Sequence, residues 1–118
     1  MEVLRRWDEA RAAAYAAGSV ASLRELYVGG AGVSDVRLLR SYLRRGYRVE
    51  GMRMQLLAVR VLAGGPGRWR LRVTDRLAGG DAVGHGQRLP LPRDRARTRT
   101  VRLERGRDDR WRVVSVRG

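Results

Sequence analysis

The amino-acid sequence predicts an α+β fold in which three N-terminal helices pack on a strongly curved, mostly antiparallel sheet. Up to about residue 45, apolar residues recur every three or four positions, as they do on one face of a helix. From about residue 47 onward they alternate with polar residues, as they do in a strand. A chain of 118 residues has the size of one domain, so we expect residues 1–118 to share a single core.

The three helices are predicted over about residues 2–17, 19–27 and 34–45. Gly18 is placed to end the first helix, because glycine readily adopts the left-handed conformation found at helix C-termini. Ser19 is placed to cap the second helix through its hydroxyl. Each boundary therefore has a residue type that suits it.

The third helix carries signals at both ends. Ser34 is its expected N-cap, and Asp35 lies in the first turn, where a carboxylate interacts favourably with the positive end of the helix dipole. Arg44 and Arg45 fall in the last turn and Gly46 follows them, which agrees with an end near residue 45.

The strand region has a bend, a turn and one long alternating strand. The parity of the apolar residues switches between Leu56 and Leu57, which predicts a bulge. The Gly-Gly-Pro-Gly run at 64–67 predicts a turn. After it, apolar residues and Asp75 share one face of a strand that begins near Trp69, while arginines occupy the other face. Two further strands follow toward the C-terminus.

Three sequence segments, together with the order of the helices and strands, resemble those of a known protein family. Trp7 lies in the first helix, an Ala-Ala-Gly-Ser run at 16–19 precedes the apolar positions of 23–27, and Trp-Arg-Val-Val-Ser-Val at 111–116 closes the chain. The chain thereby resembles the nuclear-transport-factor-two-like (SnoaL-like) cone superfamily over nearly its whole length. This resemblance implies a cone-shaped, cystatin-like fold with an interior cavity, which different members use as an enzyme pocket, a ligand site or a protein-docking surface.

Basic residues outnumber acidic ones by 26 to 12, which gives a formal charge of +14. Every basic residue is Arg, and Lys, Ile, Asn and Phe are absent, as expected of a GC-rich bacterial genome. That bias does not explain the shortage of acids, so a polyanion such as nucleic acid or an anionic surface is one candidate partner. The alternative is that the charge serves solubility in a chain shaped by codon bias. Cysteine is absent, which excludes disulfides, thiolate nucleophiles and zinc fingers; with a single His, we expect no metal and no cofactor.

Asp75 is an acid in the middle of an apolar strand face, and it anchors a candidate active site. A three-residue loop at 79–81 would fold the chain back so that Asp75 faces His85, with Gln87 beside them on the concave face. A carboxylate raises the proton affinity of a neighbouring imidazole, so this pair suits general acid/base catalysis. A two-residue loop would instead turn His85 away. The alternative for both residues is that Asp75 accepts hydrogen bonds from an arginine or from a backbone bulge and that His85 lies in solvent.

Alternating arginines before the next strand predict an anion site. They share parity with Val101 and Leu103, so either a bulge separates the two sets or this end of the strand reaches the cavity mouth. The alternative is a charged strand edge that discourages edge-to-edge pairing. The arginines are Arg93, Arg95, Arg97 and Arg99.

Three functions follow as hypotheses. The first is non-enzymatic binding of a small apolar or amphipathic molecule, or of a partner protein segment, in the cavity. The second is a lyase or isomerase in which Asp75 is the base, His85 its acid partner and Gln87 a polar orienter. The third is polyanion binding through the arginines. The expected cavity-lining residues are Trp7, Tyr42, Met54, Trp69, Leu71 and Gln87.

Charge and the N-terminus give two further expectations. Outward-facing arginines on the strand from Arg68 to Arg76 oppose pairing through the sheet, so we expect a monomer. The N-terminus meets Arg5 and Arg6 after two apolar residues, so we expect neither a signal peptide nor a membrane span, and the chain as given reads as cytoplasmic. If the chain begins inside a longer precursor, the sequence also allows an exported or membrane-anchored protein.

Overall fold

Three N-terminal helices pack on one face of an open, five-stranded sheet in the computed structural model, which describes all 118 residues. The predicted α+β fold is confirmed. The helices are α1 (Glu2–Ala17), α2 (Val20–Arg24) and α3 (Val33–Arg44), with a 3-10 turn at Gly29–Gly32 before α3. The strands are β1 (Arg48–Gly65), β2 (Arg68–Gly84), β3 (Gln87–Pro90), β4 (Arg97–Arg105) and β5 (Trp111–Arg117).

The strands pair antiparallel in the order β1-β2-β4-β5, and β3 pairs with the far end of β2. Both edge strands, β1 and β5, contact α1, so the sheet curves around this helix. A parallel bridge between Tyr27 and Val113 ties the segment after α2 to β5. The helices therefore occupy the concave face of the sheet, and no other element covers the opposite face.

The helix ends follow most of the predicted signals. Gly18 ends α1 in the left-handed conformation, with a φ of 63°. The Ser19 hydroxyl caps α2 by accepting a hydrogen bond from a backbone N–H three residues later. α2 ends at Arg24, earlier than predicted, since the following residues leave the helix to pair with β5. Ser34 is not the N-cap of α3, because the 3-10 turn leads directly into Val33.

β1 and β2 form a long hairpin with the two features that the sequence predicted. The pairing register shifts between Leu56 and Ala58, so the predicted bulge is present. The strands are joined at Pro66 and Gly67, and Gly67 has a φ of 78°, a conformation that favours glycine.

The second predicted hairpin is wrong. We expected a turn at 79–81, but β2 continues to Gly84 because the stretch 79–83 stays paired with β1. The chain turns instead at His85 and Gly86, whose φ angles of 53° and 72° are those of a tight two-residue hairpin loop. The loop on which the proposed acid/base pair depends is therefore absent.

Two clusters of buried side chains form the core. The first lies between α1 and the middle of the sheet and consists of Leu4, Trp7, Leu71, Val73, Val101, Leu103 and Val113. The second lies between the helices and the start of β1 and consists of Ala14, Tyr15, Leu23, Val36, Leu39 and Val49. A cavity borders both clusters. None of the helices is long and apolar enough to cross a membrane.

Candidate functional site

A cavity of about 630 Å³ lies between α1, α3 and the concave face of the sheet. Of the 27 residues that line it, 16 are hydrophobic, so its wall is mainly apolar. Its exposed rim, which we call the cavity mouth, includes Leu38 of α3 and Arg95 and Arg97 at the start of β4. A cavity of roughly 300–1,000 Å³ is the usual size for a small-molecule site.

Three of the predicted lining residues face the cavity: Trp7 from α1, Tyr42 from α3 and Met54 from β1. The Trp7 indole N–H donates to the Leu26 carbonyl at 2.9 Å, and its ring packs edge-on against Tyr27, with centroids 5.2 Å apart. Because its only polar group is already used, Trp7 offers a bound molecule an apolar, fixed surface.

The other three predicted lining residues lie elsewhere. Leu71 is fully buried in the first core cluster, where α1 packs directly on the sheet and leaves no space. Trp69 lies at the start of β2, beside the turn, where its ring covers Gly64. Gln87 begins β3 and is exposed, because the late turn carries it away from the concave face.

Asp75 lines the cavity, and its partner is Arg99 rather than His85. Nη2 of Arg99 donates to both carboxylate oxygens of Asp75, at 2.9 and 2.8 Å. The Asp75 side chain is only 6% exposed, so this ion pair supplies the charge that a buried carboxylate requires. Nε of Arg99 is buried without a hydrogen-bond partner. Asp75 therefore accepts its hydrogen bonds from an arginine, as in the alternative to the Asp75–His85 pair.

His85 lies in the exposed turn between β2 and β3, outside the cavity. Its Nε2 is 2.8 Å from the Arg45 carbonyl oxygen, and its ring packs edge-on against Tyr47 with centroids 5.1 Å apart. His85 thus fastens the hairpin to the end of α3. The expected Asp75–His85 pairing is wrong, because β2 carries His85 beyond the reach of the cavity.

The predicted anion site divides between two places. Arg95, Arg97 and Arg99 line the cavity; β4 pairs with β2 without a bulge from Arg97 onward, which keeps Arg97 and Arg99 on the inner face with Val101, and Arg95 lies in the segment just before β4. Arg93 instead borders a separate surface depression beside β1. Neither Arg95 nor Arg97 forms an ion pair. Two unpaired cations therefore stand at the cavity mouth.

Asp35 is a cavity residue that we had assigned only a helix-dipole role. Its carboxylate accepts hydrogen bonds from Arg11 Nε at 2.6 Å and Nη2 at 2.8 Å, from the Tyr27 hydroxyl at 2.7 Å, and from the Tyr15 hydroxyl. Burial by itself raises the pKa of Asp35, but these hydrogen bonds outweigh it, so the pKa lies below its ordinary value. Burial and the adjacent carboxylate raise the pKa of both tyrosines, which stay protonated donors.

Asp8 is the second cavity acid that sequence reasoning missed. Burial raises its pKa from 3.8 to about 6, Arg11 opposes the rise, and the charge of Asp75 adds to it. No hydrogen bond or ion pair holds its ionised form. Asp8, Arg11 and Tyr15 follow the helical spacing of Leu4, so a polar stripe on the buried face of α1 was the signal that could have found them.

The cavity therefore combines apolar walls with two kinds of polar group. In the ion pairs Arg11–Asp35 and Arg99–Asp75 the two charges balance each other, whereas Asp8 has no charge partner and burial raises its pKa to about 6. No group of three His, Cys, Asp or Glu side chains lies close enough together to hold a metal ion. The arrangement can bury an apolar molecule, hold an anionic group at the mouth and exchange a proton at Asp8.

No protein-family model matches the chain, and no curated protein matches it.

Proposed function

We propose that this protein is a non-enzymatic binding domain for a small amphipathic molecule with an apolar body and an anionic head. The observation that supports this most directly is the cavity of about 630 Å³, whose wall is mainly hydrophobic and whose mouth carries unpaired arginines. An apolar body gains free energy by leaving water for this wall, at about 25 cal/mol per Å² of surface buried.

The arginines at the mouth supply the preference for an anion. Arg97 and Arg95 have no acidic partner, whereas the deeper Arg11 and Arg99 are already bound to aspartates. A carboxylate or sulfonate at the mouth would receive charge-assisted hydrogen bonds from the free guanidinium groups. The unpaired carboxyl of Asp8 lies deeper in the cavity and would repel an anionic head, so the apolar end enters first.

A series of ten-carbon probes that differ only in the head group tests this proposal. Decanoate is the anionic probe, decanol the neutral one and decyltrimethylammonium the cationic one, each titrated by calorimetry. We expect decanoate to bind more tightly than decanol, and decanol more tightly than the cation. Equal binding of the three, or no binding of any, would contradict the proposal.

Two substitutions distinguish the contribution of the ligand's apolar body to binding from that of its anionic head. Met54→Trp narrows the cavity and should weaken binding of decanoate and decanol alike, whereas Leu89→Trp, on the exposed strand β3, should leave both unchanged. Arg97→Gln should weaken decanoate about tenfold and leave decanol unaffected, because a hydrogen bond to a charged group is worth about 1.5–3 kcal/mol. Arg24→Gln, on exposed α2, is the matched control for charge.

One observation favours a second candidate, acid/base catalysis on the bound molecule. Asp8 lies in the cavity with a pKa of about 6, where it is partly ionised near neutral pH and can accept or donate a proton. This candidate keeps the proton-transfer chemistry first considered for Asp75 and His85 but assigns it to a different residue.

Deuterium exchange tests the second candidate without a known substrate. A keto derivative of decanoate with its carbonyl near the apolar end of the chain, bound in D₂O, should exchange its carbon-bound protons next to the ketone faster than it does free in solution, with the rate rising through about pH 6 as Asp8 ionises. Asp8→Asn should abolish the acceleration while binding persists. Binding without faster exchange would leave the non-enzymatic proposal standing and dismiss the catalytic one.

A further inference from the structure

The outer face of the sheet carries a cluster of arginines unrelated to the cavity. Successive pairing rows place them side by side on β1, β2, β4 and β5, on the face that no helix covers. All of them are exposed, and none forms an ion pair. We call this set the outer arginine face; it consists of Arg60, Arg68, Arg70, Arg72, Arg102 and Arg117.

Within this face, like charges lie directly opposite one another. Arg60 pairs with Arg72 across β1 and β2, and Arg70 pairs with Arg102 across β2 and β4. Directly opposed like charges destabilise a sheet, since their Cβ atoms are about 4.5–5.5 Å apart. Glu104 is the one acidic residue in these rows, and it forms no ion pair. One carboxylate against six arginines leaves the face with a large excess of positive charge.

We infer that the outer arginine face binds an anionic phospholipid surface. Charge complementarity supplies the attraction, because arginines close to an anionic leaflet each contribute to binding. The proposal concerns the opposite side of the sheet from the cavity and does not depend on the cavity having a ligand.

Three features favour a lipid surface over a nucleic acid. The sheet curves around α1, so the outer face is convex and offers no groove for a nucleic-acid strand. Its rows contain no aromatic side chain on which bases could stack. Leu57 and Leu62 are 48% and 37% exposed, and both lie at register shifts of the edge strand β1, on either side of Arg60. Exposed leucines beside a cationic surface suit insertion among lipid headgroups.

Vesicle flotation tests the inference with the whole chain. We expect the protein to float with vesicles of phosphatidylcholine mixed with phosphatidylglycerol, and not with vesicles of phosphatidylcholine alone. Binding should weaken as salt is raised, since screening acts on exposed charges. Equal binding to both kinds of vesicle, or binding to neither, would overturn the inference.

Paired substitutions locate the binding surface. Arg72→Gln combined with Arg102→Gln should lower the affinity for anionic vesicles roughly 30-fold. The control, Arg37→Gln combined with Arg40→Gln on exposed positions of α3, removes the same charge from the other side of the molecule and should cost little. Equal losses in the two double variants would show a general effect of net charge and would overturn the assignment to this face.

Three further measurements test whether the double variant is folded, whether the exposed leucines contribute to binding, and whether the face prefers nucleic acid. The melting temperature of the Arg72→Gln and Arg102→Gln variant should stay the same or rise, because each substitution removes a like-charge contact. Leu62→Ser should weaken vesicle binding, whereas Leu89→Ser on β3 should not. Duplex DNA that displaces the protein from the vesicles at equal phosphate concentration would assign the face to nucleic acid and overturn the lipid proposal.

Discussion

Arg99 holds both carboxylate oxygens of Asp75 with one guanidinium nitrogen, at 2.9 and 2.8 Å. In the pairing register the residue directly opposite Asp75 is Arg97, so Arg99 reaches diagonally from β4 to β2. This leaves Arg97 free at the cavity mouth. One diagonal contact thus satisfies the buried acid and decides which arginine is available to a ligand.

Breaking this ion pair should destabilise the fold. Arg99→Leu leaves the Asp75 carboxylate buried without a partner, at a cost of about 3 kcal/mol in the free energy of unfolding. Combining it with Asp75→Leu should recover most of that loss, since two packed apolar side chains can replace a buried pair. Urea denaturation measures both. Arg102→Leu, which points outward from the same strand, is the control and should not destabilise; an equal loss there would refute the special role of Arg99.

The ionised Asp35 carboxylate should stabilise the fold, and this stabilisation should disappear at acidic pH. Because its pKa in the folded protein lies below the ordinary value of 3.8, its contribution is present above that value and is lost as the pH falls through the folded pKa. Asp35→Asn should cost about 3 kcal/mol near neutral pH, because Arg11 is left without its charge partner. Thermal unfolding across the acid range should show the gap between wild type and variant closing. A constant gap would contradict the linkage.

Asp8 should show the opposite pH dependence. Its pKa in the folded protein is about 6, above the ordinary 3.8, so the folded state binds the proton more tightly, and this stability is lost as pH rises through about 6. Asp8→Asn should match wild type near about pH 3 and be more stable by about 2–3 kcal/mol near about pH 8. Denaturation at the two pH values measures this. Glu9→Gln, at the neighbouring exposed position, is the control. If it became equally more stable at the higher pH, burial of Asp8 would not be the cause of the effect.

His85 should prove to be a turn residue without a part in the cavity. His85→Val places a β-branched residue at a φ of 53° and should cost about 1–2 kcal/mol. His85→Asn tolerates that conformation and should cost less, about 1 kcal/mol, because it loses only the contacts of the imidazole with the Arg45 carbonyl and Tyr47. Decanoate binding should be unchanged in both, measured by the same titration as above. Weaker decanoate binding by His85→Asn would show that His85 belongs to the cavity site after all. Gln87→Val, a substitution next to the same turn, is the control for a general change in the hairpin.

The sequence predicted correctly those features that depend on residues close together in the chain, and it failed where distant residues interact. The limits of α1, the cap of α2 and the bulge near Leu56 depend on residues close together in the chain, and the structure has all three. The turn after β2 depended on a competition with β1, a strand some thirty positions earlier, and sequence alone favoured the wrong loop. His85 and Gln87 were misplaced as a direct consequence.

By itself, the sequence determined the fold class, the inward position of Asp75 and the outward position of the strand arginines, because helical and strand periodicities place side chains on faces. Only the tertiary structure decided that Arg99 pairs with Asp75 and that Arg11, Tyr15 and Tyr27 converge on Asp35. These contacts join residues far apart in the chain, and pairing register and helix packing bring them together. The pKa of Asp8 depends on the same packing, since burial is a property of the folded chain rather than of the residue.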